Sequence, residues 1–165
     1  MKLYILSLCI FLSGFILCLI TYDVQSVYTY SYNFTHSDIN NFNTGFLFVD
    51  IFINNIILCL IISILGFISG GILTIVLLFW NGYLLAIFLN AGFSDLSLYE
   101  LMFLSKHIPL EIFSILLFAK FSFNGFFFYR SIIIEKKIKF ISKREIINLI
   151  YPIILLFFSS IIETL

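Results

Sequence analysis

Five long apolar runs dominate the hydrophobic pattern of the chain. They cover about residues 3–21, 47–68, 72–90, 107–129 and 146–162. At a rise of about 1.5 Å per residue, a helix of about 20 apolar residues crosses a hydrocarbon core of about 30 Å. The pattern therefore predicts an all-α integral membrane protein, a bundle of about five transmembrane helices in a single membrane domain over residues 1–165.

The segments between these runs differ in character. Residues 22–46 are rich in Asp, Asn, Ser, Thr and Tyr, which is typical of a polar loop. Ser69-Gly70-Gly71 leaves room only for a tight reversal, since glycine accepts positive φ. The segment from Ser94 to Lys106 opens with a capping pair, Ser94-Asp95, and mixes apolar with charged residues, so it predicts a short interfacial helix.

The first run follows Lys2. It can be interpreted as a signal peptide or as a retained transmembrane helix. A signal peptide needs a small-residue cleavage pattern, and the residues around Ile20–Tyr22 do not supply one. We therefore expect an anchored first helix.

Composition agrees with a membrane protein. Of 165 residues, 62% are hydrophobic and only 11% are charged, whereas charged residues make up about 25% of soluble domains. The formal net charge is zero, so no overall field favours nucleic acid as a partner. The cysteines fall inside apolar runs without metal-site spacing, which is typical of small buried apolar side chains. They are Cys9, Cys18 and Cys59.

Basic residues are concentrated in one loop, and this asymmetry predicts the orientation. The loop over residues 130–145 contains Arg130, Lys136, Lys137, Lys139, Lys143 and Arg144. Residues 22–45 contain no Lys or Arg. By the positive-inside rule the basic loop and the N-terminus are cytoplasmic, and the loop over 22–46 and the C-terminus are extracytoplasmic. Binding of anionic lipid or nucleic acid by the basic loop is an alternative that we disfavour.

Several polar side chains fall within the predicted spans. A charge at the centre of a membrane helix costs about 2.5–3.5 kcal/mol, so such groups should face protein or water. In the predicted topology most of them lie near the outer side, which predicts one polar cavity that contacts a substrate or partner, with Asn81 as its floor. Its members are Asn54, Asn55, Asn81, His107, Glu111 and Glu163. Lys120 lies deeper, and we expect it either to pair with a carboxylate or to extend toward the cytoplasmic side near Asn124.

His107 and Glu111 are spaced i, i+4 and so share one helical face. Three roles stay open for them: a structural hydrogen-bonded pair, contact with a proton or substrate, and metal ligation. Two ligands do not complete a zinc site, and the sequence contains no G-x-S-x-G motif. We therefore predict no catalytic residue, no metal and no cofactor.

Glycines flank the reversal between the second and third helices. Gly66 and Gly70 form a G-x-x-x-G motif next to Gly71. The motif can dimerise helices, but beside a turn we expect it to let the second and third helices approach each other.

Five short motifs follow one another along the chain. They are Phe52-Ile53-Asn54-Asn55, the glycines Gly66, Gly70 and Gly71, Asn81-Gly82, His107-Ile108-Pro109-Leu110-Glu111 and Ser159-Ser160-Ile161-Ile162-Glu163. In this order, over about Leu47 to Thr164, they resemble the stage II sporulation protein M family of multi-pass bacterial membrane proteins. That family has a His-Gly-x-x-Glu signature at the start of its fourth span. Here Ile108 replaces the Gly. The His–Glu spacing is unchanged, but the close backbone approach that Gly permits is not expected at this turn.

The resemblance implies no established enzymatic activity. It implies an accessory or scaffold subunit of a membrane complex, with other membrane proteins or a second copy of the chain as partners besides the lipid bilayer. Short members of the family are encoded with circular bacteriocins and are thought to assist maturation or export beside an ABC transporter. The alternatives are a component of the engulfment complex of sporulation, and an intramembrane enzyme or proton-coupled transporter that uses His107 and Glu111.

Overall fold

The computed structural model describes residues 2–21, 44–136 and 142–164, and these residues are almost entirely helical. The helices are α1 (Lys2–Thr21), α2 (Thr44–Ile68), α3 (Ile72–Asp95), α4 (Leu98–Leu104), α5 (Ile108–Ile133), α6 (Lys143–Ile147) and α7 (Ile150–Thr164). Five stretches are long and apolar enough to cross a membrane, namely Leu3–Thr21, Phe48–Ile68, Ile72–Phe93, Ile108–Ile133 and Lys143–Thr164. The predicted all-α membrane bundle is confirmed.

The short helix α4 begins later than the sequence pattern predicts. The expected cap at Ser94-Asp95 is wrong, because α3 continues through Asp95. Ser97 caps α4 instead, by accepting a hydrogen bond from the Glu100 amide while the Glu100 carboxylate accepts one from the Ser97 amide. This reciprocal capping box satisfies two amides that the helix leaves unpaired. The Ser97 hydroxyl also donates to the Glu100 carboxylate, and this bond, followed by the bond from the Ser97 amide, lowers the pKa of Glu100 below its usual range.

The last predicted span consists of two helices. It is interrupted at Asn148 and Leu149, between α6 and α7. Pro152 lies in the first turn of α7, where its missing N–H leaves the carbonyl of Asn148 without the usual helical partner. The chain therefore ends one helix and begins another at this point.

The reversal between α2 and α3 uses both glycines in the left-handed region. Gly70 has φ of 63° and Gly71 has φ of 93°. The Gly71 amide donates to the Gly66 carbonyl at 2.7 Å, which closes the end of α2. A Cβ at Gly66 would overlap the hydroxyls of Thr74 on α3 and Ser122 on α5, which are hydrogen-bonded to each other. Gly66 therefore permits close packing of three helices, whereas the sequence predicted this for two.

Helices α1 and α3 pack backbone against backbone. A Cβ at Gly14 would overlap the carbonyl of Phe79, and a Cβ at Gly82 would overlap the carbonyl of Phe11. Small residues at such contacts let transmembrane helices approach closely, and here each helix contributes one glycine and one carbonyl. This reciprocal contact joins α1 to the rest of the bundle.

The centre of the bundle is formed by α2, α5 and α7, with a contribution from α3. The buried apolar side chains there are Cys59, Ile62, Leu78, Ile115, Leu116, Phe118, Ala119 and Leu156. Helices α2 and α5 run in the same direction, because Asn55 meets Glu111 near one end and Gly66 meets Ser122 near the other. This shared direction fixes which polar residues meet at each end.

Lys120 has a partner that the sequence did not predict. Its Nζ donates to the Tyr4 hydroxyl at 2.8 Å and lies 4.6 Å from the centre of the Tyr4 ring. The start of α1 is thus beside the middle of α5, close to Glu145 and Asn148 of the segment that follows the basic loop. The start of α1 and the start of the last span therefore lie at the same end of the bundle.

The expected loop over 22–46 lies mostly outside the described residues, as do Lys137 and Lys139. The other basic loop residues, Arg130, Lys136, Lys143 and Arg144, are exposed. Which end faces the cytoplasm stays a prediction from the distribution of charge.

Candidate functional site

Three ionisable side chains meet at the end of the bundle opposite the Lys120–Tyr4 contact. His107 precedes α5, Glu111 lies in its first turn, and Glu163 lies near the end of α7. One donor atom from each lies within 4.8 Å of the other two. His107 Nε2 is 3.9 Å from Glu163 Oε2, and the two side chains are only 12% and 31% exposed. We call these three residues the His–Glu cluster.

The start of α5 sets the positions of two cluster members. His107 is the N-cap residue, and Pro109 follows at a position where a helix does not need an N–H donor. Glu111 is acidic in the first turn, where the positive end of the helix dipole favours a carboxylate. The Glu111 amide donates to the His107 carbonyl at 3.3 Å, so the first turn keeps both side chains on one face.

Neighbouring helices orient this turn through uncharged polar groups. Asn55 of α2 donates from Nδ2 to Oε1 of Glu111. Ser159 of α7 donates its hydroxyl to the His107 carbonyl at 3.2 Å. The start of α5 is therefore held from two sides, and the Glu111 carboxylate has a fixed direction.

The His107 imidazole, by contrast, lacks a close hydrogen bond. Its Nδ1 is buried and has no partner among the described residues. Its Nε2 is 3.9 Å from Glu163, beyond the usual range of 2.7–3.2 Å for a hydrogen bond. A mostly buried imidazole in this condition has a nitrogen available to a ligand.

A cavity of about 250 Å³ adjoins the cluster. Its polar lining comes from Asn81, His107 and Glu111, and its walls are apolar side chains of α1, α3 and α5. The apolar lining residues are Phe11, Leu84, Leu85, Phe88, Ile108, Ile112 and Ile115. Asn81 itself donates to the Leu77 carbonyl of its own helix at 2.7 Å. We call this space the α1–α3–α5 cavity.

The structure brings most of the predicted polar residues together and leaves one apart. Glu111, His107 and Glu163 meet, Asn55 contacts Glu111, and Asn81 lines the cavity. Asn54 is exposed and makes no described contact with the cluster, although we expected it in the same network. Adjacent residues of a helix point about 100° apart, so only one of the two asparagines can face Glu111.

Ser159 is the functional contact that the sequence analysis did not assign. Ser159 begins the last of the five family motifs. It lies four residues before Glu163, so both side chains fall on one face of α7. That spacing was the available signal for a role beside the cluster. The site thus consists of one imidazole and two carboxyl groups at the edge of an apolar cavity. The amide of Asn55 and the hydroxyl of Ser159 orient it.

Comparisons with known proteins agree with the motif order. The family pattern of stage II sporulation protein M matches residues 7–165, nearly the whole chain. Comparison with curated proteins and with solved structures gives no match. On the family match over nearly the whole chain, and with five helices apolar enough to cross a membrane, this membrane protein belongs to the stage II sporulation protein M family.

Proposed function

We propose that the protein is a non-enzymatic accessory subunit of a membrane complex, which holds an apolar segment of a partner in the α1–α3–α5 cavity. The observation that supports this is the form of the cavity, which has apolar walls and the His–Glu cluster at one side. The partner we favour is a membrane-active peptide awaiting maturation or export beside an ABC transporter.

The size of the cavity favours a side chain or a helix end as its occupant. Its volume of about 250 Å³ lies below the range of about 300–1,000 Å³ that is typical of pockets for small molecules. A partner helix needs only to insert a few apolar atoms there. Glu111 lines the cavity, so its carboxylate can accept a hydrogen bond from the free amides of a helix start or from a basic side chain.

The second candidate function is chemistry or proton coupling at the cluster itself. The observation that favours it is the His107 imidazole without a close hydrogen bond beside two carboxylates. An enzyme or a proton-coupled transporter depends on the ionisable groups, whereas an accessory subunit depends mainly on the shape of the cavity.

A cavity-filling substitution tests the proposal. Leu84→Trp should fill the cavity while leaving the cluster residues intact, so a partner that purifies with the wild-type protein in mild detergent should be lost. Leu73→Trp is the matched control, because Leu73 lies on the same helix outside the cavity and the two leucines are 41% and 45% exposed. If both variants lose the partner, or if neither does, the proposal is contradicted.

The identity of the captured partner separates the remaining alternatives. A small apolar peptide or an ABC transporter subunit supports the export role. A cell-wall remodelling protein of a sporulation locus supports the engulfment role instead. If the wild-type protein purifies without any partner from cells that carry out the process, both accessory roles are contradicted.

A further inference from the structure

We propose that His107, Glu111 and Glu163 form a binding site for a first-row divalent metal ion, with Zn²⁺ preferred and Mn²⁺ accepted. It departs from the prediction of no metal made from the sequence, because the bundle brings Glu163 to the other two residues as a third ligand. It goes beyond the accessory role and does not depend on it. The site would join the beginning of α5 to the end of α7.

The donor atoms are arranged closely enough to bind one ion. They lie within 4.8 Å of one another, and the His107–Glu163 pair is at 3.9 Å. Zinc bonds to imidazole nitrogen and carboxylate oxygen are about 2.0–2.2 Å long, so tetrahedral ligands lie about 3.4 Å apart. A contraction of up to about 1.4 Å is within reach of side-chain rotation, since Glu163 is partly exposed near the end of its helix.

The charges of the cluster favour a divalent cation. Two carboxylates lie close together between apolar helices, and a protonated His107 would neutralise only one of them. Glu163 is also near the C-terminal end of α7, where the helix dipole disfavours a negative charge. Lys106, the nearest lysine in sequence, places its Nζ over the Phe103 ring rather than on these carboxylates. A divalent ion neutralises both carboxylates at once.

The hydrogen bonding of the cluster leaves an imidazole nitrogen available as a ligand. The His107 imidazole has a buried, unpartnered Nδ1 and a distant Nε2, so a nitrogen is available as a ligand. The Glu111 carboxylate is fixed by Asn55 through one oxygen. Metal ligands are commonly oriented by such outer hydrogen bonds.

The donor set also restricts the choice of ion. One imidazole and two carboxylates suit Zn²⁺, Mn²⁺ and Fe²⁺, whereas Mg²⁺ and Ca²⁺ prefer oxygen ligands alone. Three protein ligands leave one coordination position for water or for a group of the bound partner, as in open zinc sites. That position is next to the α1–α3–α5 cavity, because His107 and Glu111 line it.

Metal binding to the purified full-length protein tests the proposal without any partner. Protein in detergent is stripped with a chelator, dialysed and titrated with Zn²⁺, and bound metal is counted by elemental analysis. We expect one Zn²⁺ per chain, binding at least tenfold weaker in His107→Gln and in Glu163→Gln, and no displacement by a large excess of Mg²⁺. Asp50→Asn, which removes a carboxylate from α2 outside the cluster, should bind as the wild type does.

Two results would overturn the site. The first is the absence of stoichiometric Zn²⁺ in monodisperse wild-type protein, and the second is equal binding by wild type and both cluster variants. X-ray absorption of the Zn²⁺-loaded wild type supplies a test that no variant affects. It should show nitrogen and oxygen ligands at about 2.0–2.2 Å including one imidazole, whereas sulfur ligands at about 2.3 Å would place the ion at a cysteine instead.

Discussion

The reciprocal glycine contact between α1 and α3 leads to a quantitative prediction. Gly82→Ala places a methyl group against the carbonyl of Phe11, and Gly14→Ala places one against the carbonyl of Phe79. Neither carbonyl can rotate away, because each belongs to a helical backbone. The two helices must therefore move apart along the contact.

The size of the effect follows from two opposing contributions. Alanine is more favourable than glycine inside a helix by about 0.5–1 kcal/mol. Overpacking a close contact costs about 1–3 kcal/mol, and a backbone neighbour favours the upper part of that range. We therefore expect each single substitution to lower the free energy of unfolding by about 1–2 kcal/mol. Because both act on one contact, the double variant should lose less than the sum of the two.

Gly92→Ala is the matched control on α3. A Cβ there would lie 2.5 Å from Cδ1 of Leu101, which is the flexible end of a side chain. Leu101 can rotate, so the control should stay within about 0.5 kcal/mol of wild type. The free energy of unfolding is measured by reversible denaturant titration in mixed micelles, followed by the fluorescence of the single tryptophan, Trp80.

Two outcomes would refute this reasoning. Gly82→Ala that is as stable as Gly92→Ala would show that α1 and α3 separate at no cost. Strictly additive losses in the double variant would show that the two glycines do not share one contact.

Three further predictions concern the polar cluster, the reversal and the orientation. In metal-free protein, Glu111→Ala leaves the side-chain amide of Asn55 without its partner and should lower the free energy of unfolding by about 1–3 kcal/mol. Glu111→Gln keeps an acceptor and should lower it by less. Thermal unfolding in detergent measures both variants, and equal losses of stability contradict the hydrogen bond. Replacing Gly70 and Gly71 together by Val should reduce folded yield strongly because both have positive φ, whereas Ile72→Val, at an exposed position beside the turn, should not, and unchanged yield of the double variant contradicts the turn. Reporters fused after Lys139 should be cytoplasmic and those after Asn41 or Leu165 external, whereas a cytoplasmic C-terminus would contradict the predicted orientation of the fifth span.

The parts of the fold that follow from composition could be predicted, and the parts that depend on helical phase could not. Long apolar runs identify the spans because the length of a helix is tied to the thickness of the bilayer. Helix α2 is apolar around almost its whole circumference, so the pattern of apolar positions does not distinguish its buried side from its lipid-facing side. That is why Asn54 and Asn55 seemed equivalent from depth alone, although only Asn55 contacts Glu111.

The candidate site shows the same division. The i, i+4 spacing of His107 and Glu111 is local, and it brings the two side chains to one face without any knowledge of the bundle. Contacts between helices, such as Lys120 with Tyr4 or Gly14 with Phe79, depend on the neighbours and crossing angle of each helix. The sequence pattern contains no periodicity that specifies those partners.

Site-specific photo-crosslinking is the most direct test of the claim that the α1–α3–α5 cavity holds a partner segment. A photoreactive phenylalanine analogue at Phe88 lines the cavity, and the same analogue at Phe93 lies on the same helix outside it. In cells that also express the proposed peptide and ABC transporter, we expect a single partner adduct from position 88, none from position 93, and loss of the adduct in Leu84→Trp. Equal adducts from both positions, or an adduct from position 88 that persists when the cavity is filled, would contradict the account.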